Sequence, residues 1–198
     1  MNLLRVSQYI QRFIHVYVYR ILGTHQEKKI EVLTELYGYS VDFLNEVGED
    51  YWVDFGTLLG YYRENGIIPH DIDADFSMHE KSYTKVLKSK KLLSKKVKFY
   101  DTSHRHRGPK LYFNYKGFDV DIYFYEDLGD VVRNYENTQW PNERREMPKE
   151  LVYPLKWERF LNKKCLIPAK PKEYLEYIYG YLGTDSKRNK ETGFWERI

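Results

Sequence analysis

The sequence has 198 residues, with 32 lysines and arginines against 29 aspartates and glutamates and a net charge of +3. That length suits one domain, or one domain with an appended element, and folding then buries roughly 70% of the unfolded surface without a covalent staple. The single cysteine, Cys165, excludes an internal disulfide and a cysteine-based zinc site, and so mild a charge gives no reason to expect nucleic acid.

Residues 1–24 read as an amphipathic helix. Leu3, Val6, Ile10, Phe13, Ile14 and Tyr17 fall on one side, and Arg5, Arg12 and Arg20 towards the others. These charges break every apolar run before it reaches the ~18 residues of a membrane span, and no small-residue cleavage site follows. The helix is expected to pack on the domain or on a second copy, with an anionic membrane surface as the alternative.

Apolar residues at threes and fours predict a second helix over 26–47, closed by Gly48 in the left-handed conformation. Residues 51–55 read as a strand, and Gly56-Thr57 as the start of a short helix that Gly66 stops. Glycine lets a phosphate approach the backbone and a helix start offers free N–H groups, so Gly56 and Thr57 are candidate phosphate contacts. Thr57 as a plain helix cap is the simpler alternative. Arg63 is read as an anion ligand or a solvated side chain.

Ile67-Ile68-Pro69 leads in extended form to Asp71, Asp73 and Asp75. If 72–78 is a strand, its pleat points Asp73 and Asp75 to one face with Cα atoms roughly 6.5–7 Å apart. Paired acids resist burial unless a cation compensates them, which suggests a divalent metal; a solvated acidic loop is the plainer reading of these residues alone. A basic surface helix over 79–93, a strand over 97–100 and a basic loop over 103–110 follow. Two strands, 111–115 and 118–125, flank a Lys116-Gly117 turn. The second carries Asp119 and Asp121, and pairing with the 72–78 strand would bring a third carboxylate to the first two.

Residues 133–147, with Trp140, Arg144 and Arg145, are expected to form a polar loop over the site. Short extended pieces at 155–160 and 164–167 and a helix over 171–181 follow, with Pro171 at its start. Cys165 is read as a small core residue. The organisation read from the chain is a helix over 1–24, a catalytic domain over 25–183 and a polar tail over 184–198, loose apart from Phe194-Trp195.

Phe55-Gly56-Thr57-Leu58-Leu59-Gly60, Tyr62-Arg63, Gly66-Ile67-Ile68-Pro69 and Asp71-Ile72-Asp73-Ala74-Asp75 resemble the signature of the LicD/fukutin family of phosphotransferases. Val120-Asp121-Ile122 is similar to that family's third-acid strand. Leu151-Val152-Tyr153-Pro154 and Pro168 to Gly180 resemble its C-terminal block. His70 stands where the family has tryptophan, Tyr181-Leu182-Gly183 stands where another tryptophan is usual, and the Cys/His zinc cluster of some animal members is missing.

The resemblance implies an α/β nucleotidyltransferase-like fold, with N-terminal helices packed on a small mixed sheet. It implies transfer of a phospho-substituent, of phosphocholine or alditol phosphate type, from a CDP-linked donor to a glycan or glycolipid hydroxyl. Asp73, Asp75 and Asp121 would hold Mg²⁺ or Mn²⁺ and carry the catalysis, with Asp121 also taking the acceptor's proton. Gly56, Thr57, Arg63, His70, Arg107 and Lys110 would bind substrate, with Asp71 and Asp119 in support. A cytoplasmic protein is expected, with the membrane surface as the alternative place. The rival readings are a GT-A-like glycosyltransferase that uses D-x-D for a nucleotide sugar, and a catalytically silent binding module.

Overall fold

A computed structural model describes residues 3–14, 17, 21, 25–136 and 146–198. The expected loop residues Trp140, Arg144 and Arg145 lie outside that set. Helix α1, Leu3–Phe13, is amphipathic as its pattern predicts, but its apolar side is uncovered: Ile10 is 54% and Phe13 58% exposed, and Tyr17 stacks on Phe13 in the open. Helix α2, His25–Val47, carries the packing expected of the N-terminal helices. Its Leu33, Leu36, Tyr37, Val41 and Leu44 are fully buried, and Gly48 closes it at φ 68°.

The chain then builds one mixed sheet. Strand β1, Tyr51–Val53, runs into helix α3, Phe55–Glu64, and after a short loop comes β2, Asp73–His79. The predicted helix over 79–93 is broken: His79 still belongs to β2, and only Tyr83–Lys88 is α-helical (α4), between two 3-10 turns. Strands β3 (Lys98–Asp101), β4 (Lys110–Tyr115) and β5 (Phe118–Asp127) follow. Strands β6, Val131–Asn134, and β7, Glu146–Pro148, stand where a polar loop was expected, so Arg133 and Met147 are strand residues. The order is β1-β2-β5-β4-β3, with β6 on β5 and β7 on β6. Only β2 and β5 run parallel; every other neighbouring pair is antiparallel.

Alternation along the two central strands explains the layering. Ala74, Phe76 and Met78 on β2, and Val120, Ile122 and Phe124 on β5, are buried on the side that meets α2, where Tyr37 stacks on Phe76 at 5.4 Å. The odd-numbered residues between them face the other way. Beyond the sheet, a short helix α5, Lys149–Val152, leads to the hairpin of β8 (Lys156–Phe160) and β9 (Lys163–Ile167). That hairpin packs on α2 and β1 and buries Cys165, which is a core residue as expected.

Helix α6, Pro171–Tyr179, ends two residues earlier than predicted. The tail expected to be loose instead pairs as a second hairpin, β10 (Ser186–Arg188) with β11 (Trp195–Arg197). No described helix is long and apolar enough to cross a membrane.

Phe76 is fully buried between the Tyr37 and Tyr51 rings. Phe76→Ala is therefore expected to cost about 3–5 kcal/mol of stability in urea unfolding. A loss under ~1 kcal/mol would mean that this layer is not the core.

Candidate active site

The turn from β1 into α3 is set by Asp54, which sequence reasoning passed over. Its side chain caps α3 by accepting from the Phe55 N–H at 2.7 Å, so the helix begins at Phe55, not at Gly56-Thr57. Phe55 takes φ 43°, a left-handed value that costs a non-glycine residue on the order of 1–3 kcal/mol. The turn is held nonetheless because Asp54 is fully buried and also accepts from Ser77 Oγ at 2.5 Å, Tyr174 OH at 2.7 Å and Tyr125 OH at 3.3 Å. Burial pushes the Asp54 carboxyl up, while these donors favour its ionised form. Four donors on two oxygens suit a carboxylate.

Thr57 neither caps the helix nor opens towards a ligand. It is buried, and its hydroxyl accepts the backbone N–H of Asp75 at 2.8 Å. Strand β1 ends at Val53, so Thr57 supplies the acceptor that a longer strand would have given. Gly56 lies against Asp71: a Cβ there would meet Asp71 Oδ2 at 3.0 Å. Asn65, at φ 48°, caps the end of α3 in the left-handed conformation, one residue before the Gly66 expected to stop the helix, and Gly66 N–H donates to the Gly60 carbonyl at 3.3 Å. A Cβ on Gly60 would lie 2.4 Å from the Gly66 carbonyl oxygen, which requires glycine at that contact. The chain is then fixed at Pro69, whose carbonyl accepts from Lys29 Nζ at 2.5 Å and Gln26 Nε2 at 2.9 Å.

The parallel pairing of β2 and β5 sets Asp75 beside Asp121 and Asp73 beside Asp119. Asp73, Asp75 and Asp121 each offer an oxygen, and the three lie within 4.8 Å of one another. No other such group of potential metal ligands exists among the described residues. Burial first, then the neighbouring Asp73 and Asp121 charges, hold the Asp75 carboxyl well above the usual carboxylate range. An all-oxygen, like-charged set of this size suits a hard divalent cation. Asp119 is turned to a different task, accepting from Asn114 Nδ2 at 2.7 Å.

Lys110 lies beside these acids. Read in the sequence as a loop residue, it is the first residue of β4 and is buried, with Nζ 3.2 Å from Asp121 Oδ1 and 3.1 Å from the Tyr123 ring centroid. Burial lowers its pKa, and Asp121 and Asp75 oppose that shift. Lys110, Asp121 and Tyr123 line a cleft of about 470 Å³ with Arg105, His106 and Glu136. Arg107 does not line it; exposed on the preceding loop, it reaches Glu136 only through its backbone N–H.

Gly56, Arg63, His70 and Asp71 line a second cleft of about 460 Å³. Burial raises the Asp71 carboxyl. Tyr179 lines this cleft too, and its hydroxyl is pushed well up by burial and by Asp75, Asp54 and Asp71. The sequence places Tyr179 in the family-like block but gives nothing to single it out among 20 tyrosines.

The profile described as LicD/FKTN/FKRP, nucleotidyltransferase domain, matches residues 48–170, more than half of the chain. The chain belongs to this family. Human ribitol-5-phosphate transferase FKTN is 27% identical over 151 residues, which take in 74% of this chain and 32% of the relative. The Macaca fascicularis protein of the same name is 28% identical over the same shares. An uncharacterized Rickettsia typhi protein is 31% identical over 148 residues, 73% of this chain and 44% of its own. The chain thus spans less than half the length of these curated relatives. Among solved structures, the lincomycin-bound lincosamide antibiotic adenylyltransferase LnuA aligns with a TM-score of 0.46 at 15% identity, covering 73% of this chain and 85% of that one.

The repulsion around Asp75 has a measurable sign. Its folded pKa lies above the unfolded value of roughly 3.9, so its contribution to stability is present below that value and is lost as pH rises through the folded pKa. In chelator-treated protein at pH 7, Asp75→Asn is expected to be more stable than wild type, with the gap closing towards pH 4. Urea titrations across that range check this; a variant less stable than wild type at every pH would contradict it.

Proposed function

We propose that this chain transfers a substituted phosphate, of the alditol phosphate or phosphocholine type, from a CDP-linked donor to a hydroxyl of a glycan or glycolipid. One observation carries the reading: three carboxylates converge from two adjacent parallel strands beside a buried lysine, in a chain of the LicD/FKTN/FKRP family. Ribitol-5-phosphate transfer is the activity in the printed name of the FKTN relatives, which supports this class of reaction here.

Mg²⁺ or Mn²⁺ held by Asp73, Asp75 and Asp121 would neutralise charge on the donor diphosphate and make its phosphorus more open to attack. The protein's own share is positioning and charge. Lys110 faces the cleft with Arg105 and His106, which suits the diphosphate and the departing CMP. Asp121 would accept the proton of the acceptor hydroxyl as that hydroxyl's oxygen bonds to phosphorus and the bond to CMP breaks. Tyr123 OH, 3.3 Å from Asp121 Oδ2, steadies that carboxylate. Thr57 acts from beneath by fixing the backbone of Asp75. The GT-A-like alternative draws no support from a nucleotidyltransferase-domain match.

The test is CMP release by the full chain from CDP-ribitol and CDP-choline with a glycan panel, with and without Mg²⁺, Mn²⁺ or chelator. Metal-dependent release is expected, and Asp73→Ala, Asp75→Ala or Asp121→Ala should each lower it by about 10³-fold or more without unfolding the protein. Full activity in any of the three would overturn the assignment. Metal-dependent CDP binding without transfer would instead favour a binding module.

A further inference from the structure

The second cleft is built largely by residues outside the family match, which ends at residue 170. Its outer wall is Tyr181, Leu182 and Trp195, presented by the end of α6 and by the C-terminal hairpin. This wall is tied down by backbone. Gly180 and Trp195 form a β-bridge, and Tyr181 N–H donates to the Trp195 carbonyl at 2.9 Å. Gly180 takes φ 83°, and a Cβ there would come within 2.8 Å of that same carbonyl oxygen. Tyr181 OH donates to Asp185 at 2.7 Å, and Arg197 pairs with the other oxygen of Asp185 at 3.0 Å, closing the hairpin base.

The two clefts differ in chemistry. The Lys110 cleft presents cations, Lys110 and Arg105, to an anion. The second presents aromatic and aliphatic faces, with one carboxylate, Asp71, one imidazole, His70, and the hydroxyl residues Thr184 and Ser186. Its one guanidinium, Arg63, is neutralised by Glu64 at 2.8 Å, yet Arg63 Nε is buried without a partner among the described residues. Trp195 remains 38% exposed beside it. Apolar ring faces with a carboxylate acceptor and a spare N–H donor are the chemistry that recognises an uncharged, hydroxyl-rich molecule.

We propose that the cleft between Asp71 and Trp195 is the acceptor subsite, taking a neutral sugar or alditol unit, and that Trp195 on the C-terminal hairpin sets acceptor specificity. This rests on the transfer reaction proposed above. The unit would lie on the Trp195 ring, donate hydroxyl hydrogens to Asp71 and accept from Arg63 Nε. Its attacking oxygen would then reach the acids past Gly56, which lines this cleft.

Acceptor and donor kinetics of wild type, Trp195→Ala and Trp195→Phe test this in the full chain. Trp195→Ala should raise the acceptor KM by about tenfold and leave the donor KM within about twofold, with Trp195→Phe restoring most of the loss. An unchanged acceptor KM, or an equal rise in donor KM, would overturn the proposal; the latter would assign the cleft to the nucleoside. A second measurement does not depend on turnover: saturation-transfer NMR with ribitol and methyl hexosides, and separately with CMP. Signal from the neutral probes that Trp195→Ala abolishes supports the subsite even if no transfer is seen with any donor, in which case only the reaction reading fails. Signal of equal strength in both proteins, or from CMP alone, overturns it.

Discussion

Like-charge repulsion at the joint of β2 and β5 is the constraint that the surrounding structure answers. Three carboxylates within 4.8 Å of one another would spread apart on a pliable backbone. Here they are fixed by the strands beneath them, whose reverse sides are the best-buried part of the core: Phe76, Met78, Val120, Ile122 and Phe124 are all fully enclosed. The same two strands therefore serve two opposed ends. Apolar burial on one face supplies the stability that charge concentration on the other withdraws.

Asp54 extends this logic below the acids. It joins the start of α3, β2 through Ser77, β5 through Tyr125 and α6 through Tyr174, and Trp52 Nε1 donates to Tyr174 OH at 3.1 Å. A buried carboxylate satisfied by donors from four elements makes their relative placement specific, because shifting any one of them strands a charge. The left-handed Phe55 is affordable only within such a frame, and its ring returns support by packing edge-on to Tyr123 at 5.0 Å.

What the sequence revealed and concealed divides along physical lines. Periodicity exposed α2 and the alternation of β2 and β5, because one-sided burial leaves a regular trace, and so it also exposed Asp73, Asp75 and Asp121 on one face. Asp54 left a legible sign, an N-cap aspartate directly before the helix, but the strand pattern of 51–53 carried the reading one step too far. The broken helix over 79–93 was hidden because its lysines fit either a helix or a series of turns. The pairing of β6 with β7 depends on contacts distant in sequence, and residues 133–147 carry no alternation to betray it. The C-terminal hairpin is mostly solvated, so its fold is set by the Asp185 and Gly180 contacts and not by an apolar stripe.

The tight Lys116-Gly117 turn joins β4 to β5, with Lys116 at φ 49° and Gly117 at φ 87°. A hairpin of this kind closes locally, within microseconds, whereas the parallel pairing of β2 with β5 must wait for a long stretch of chain to come round. Lys110 and Asp121 sit on the two arms of that hairpin, 3.2 Å apart. The third acid and its counter-charge are therefore joined by a short local connection, while the acids of β2 reach them only across the long-range parallel pairing.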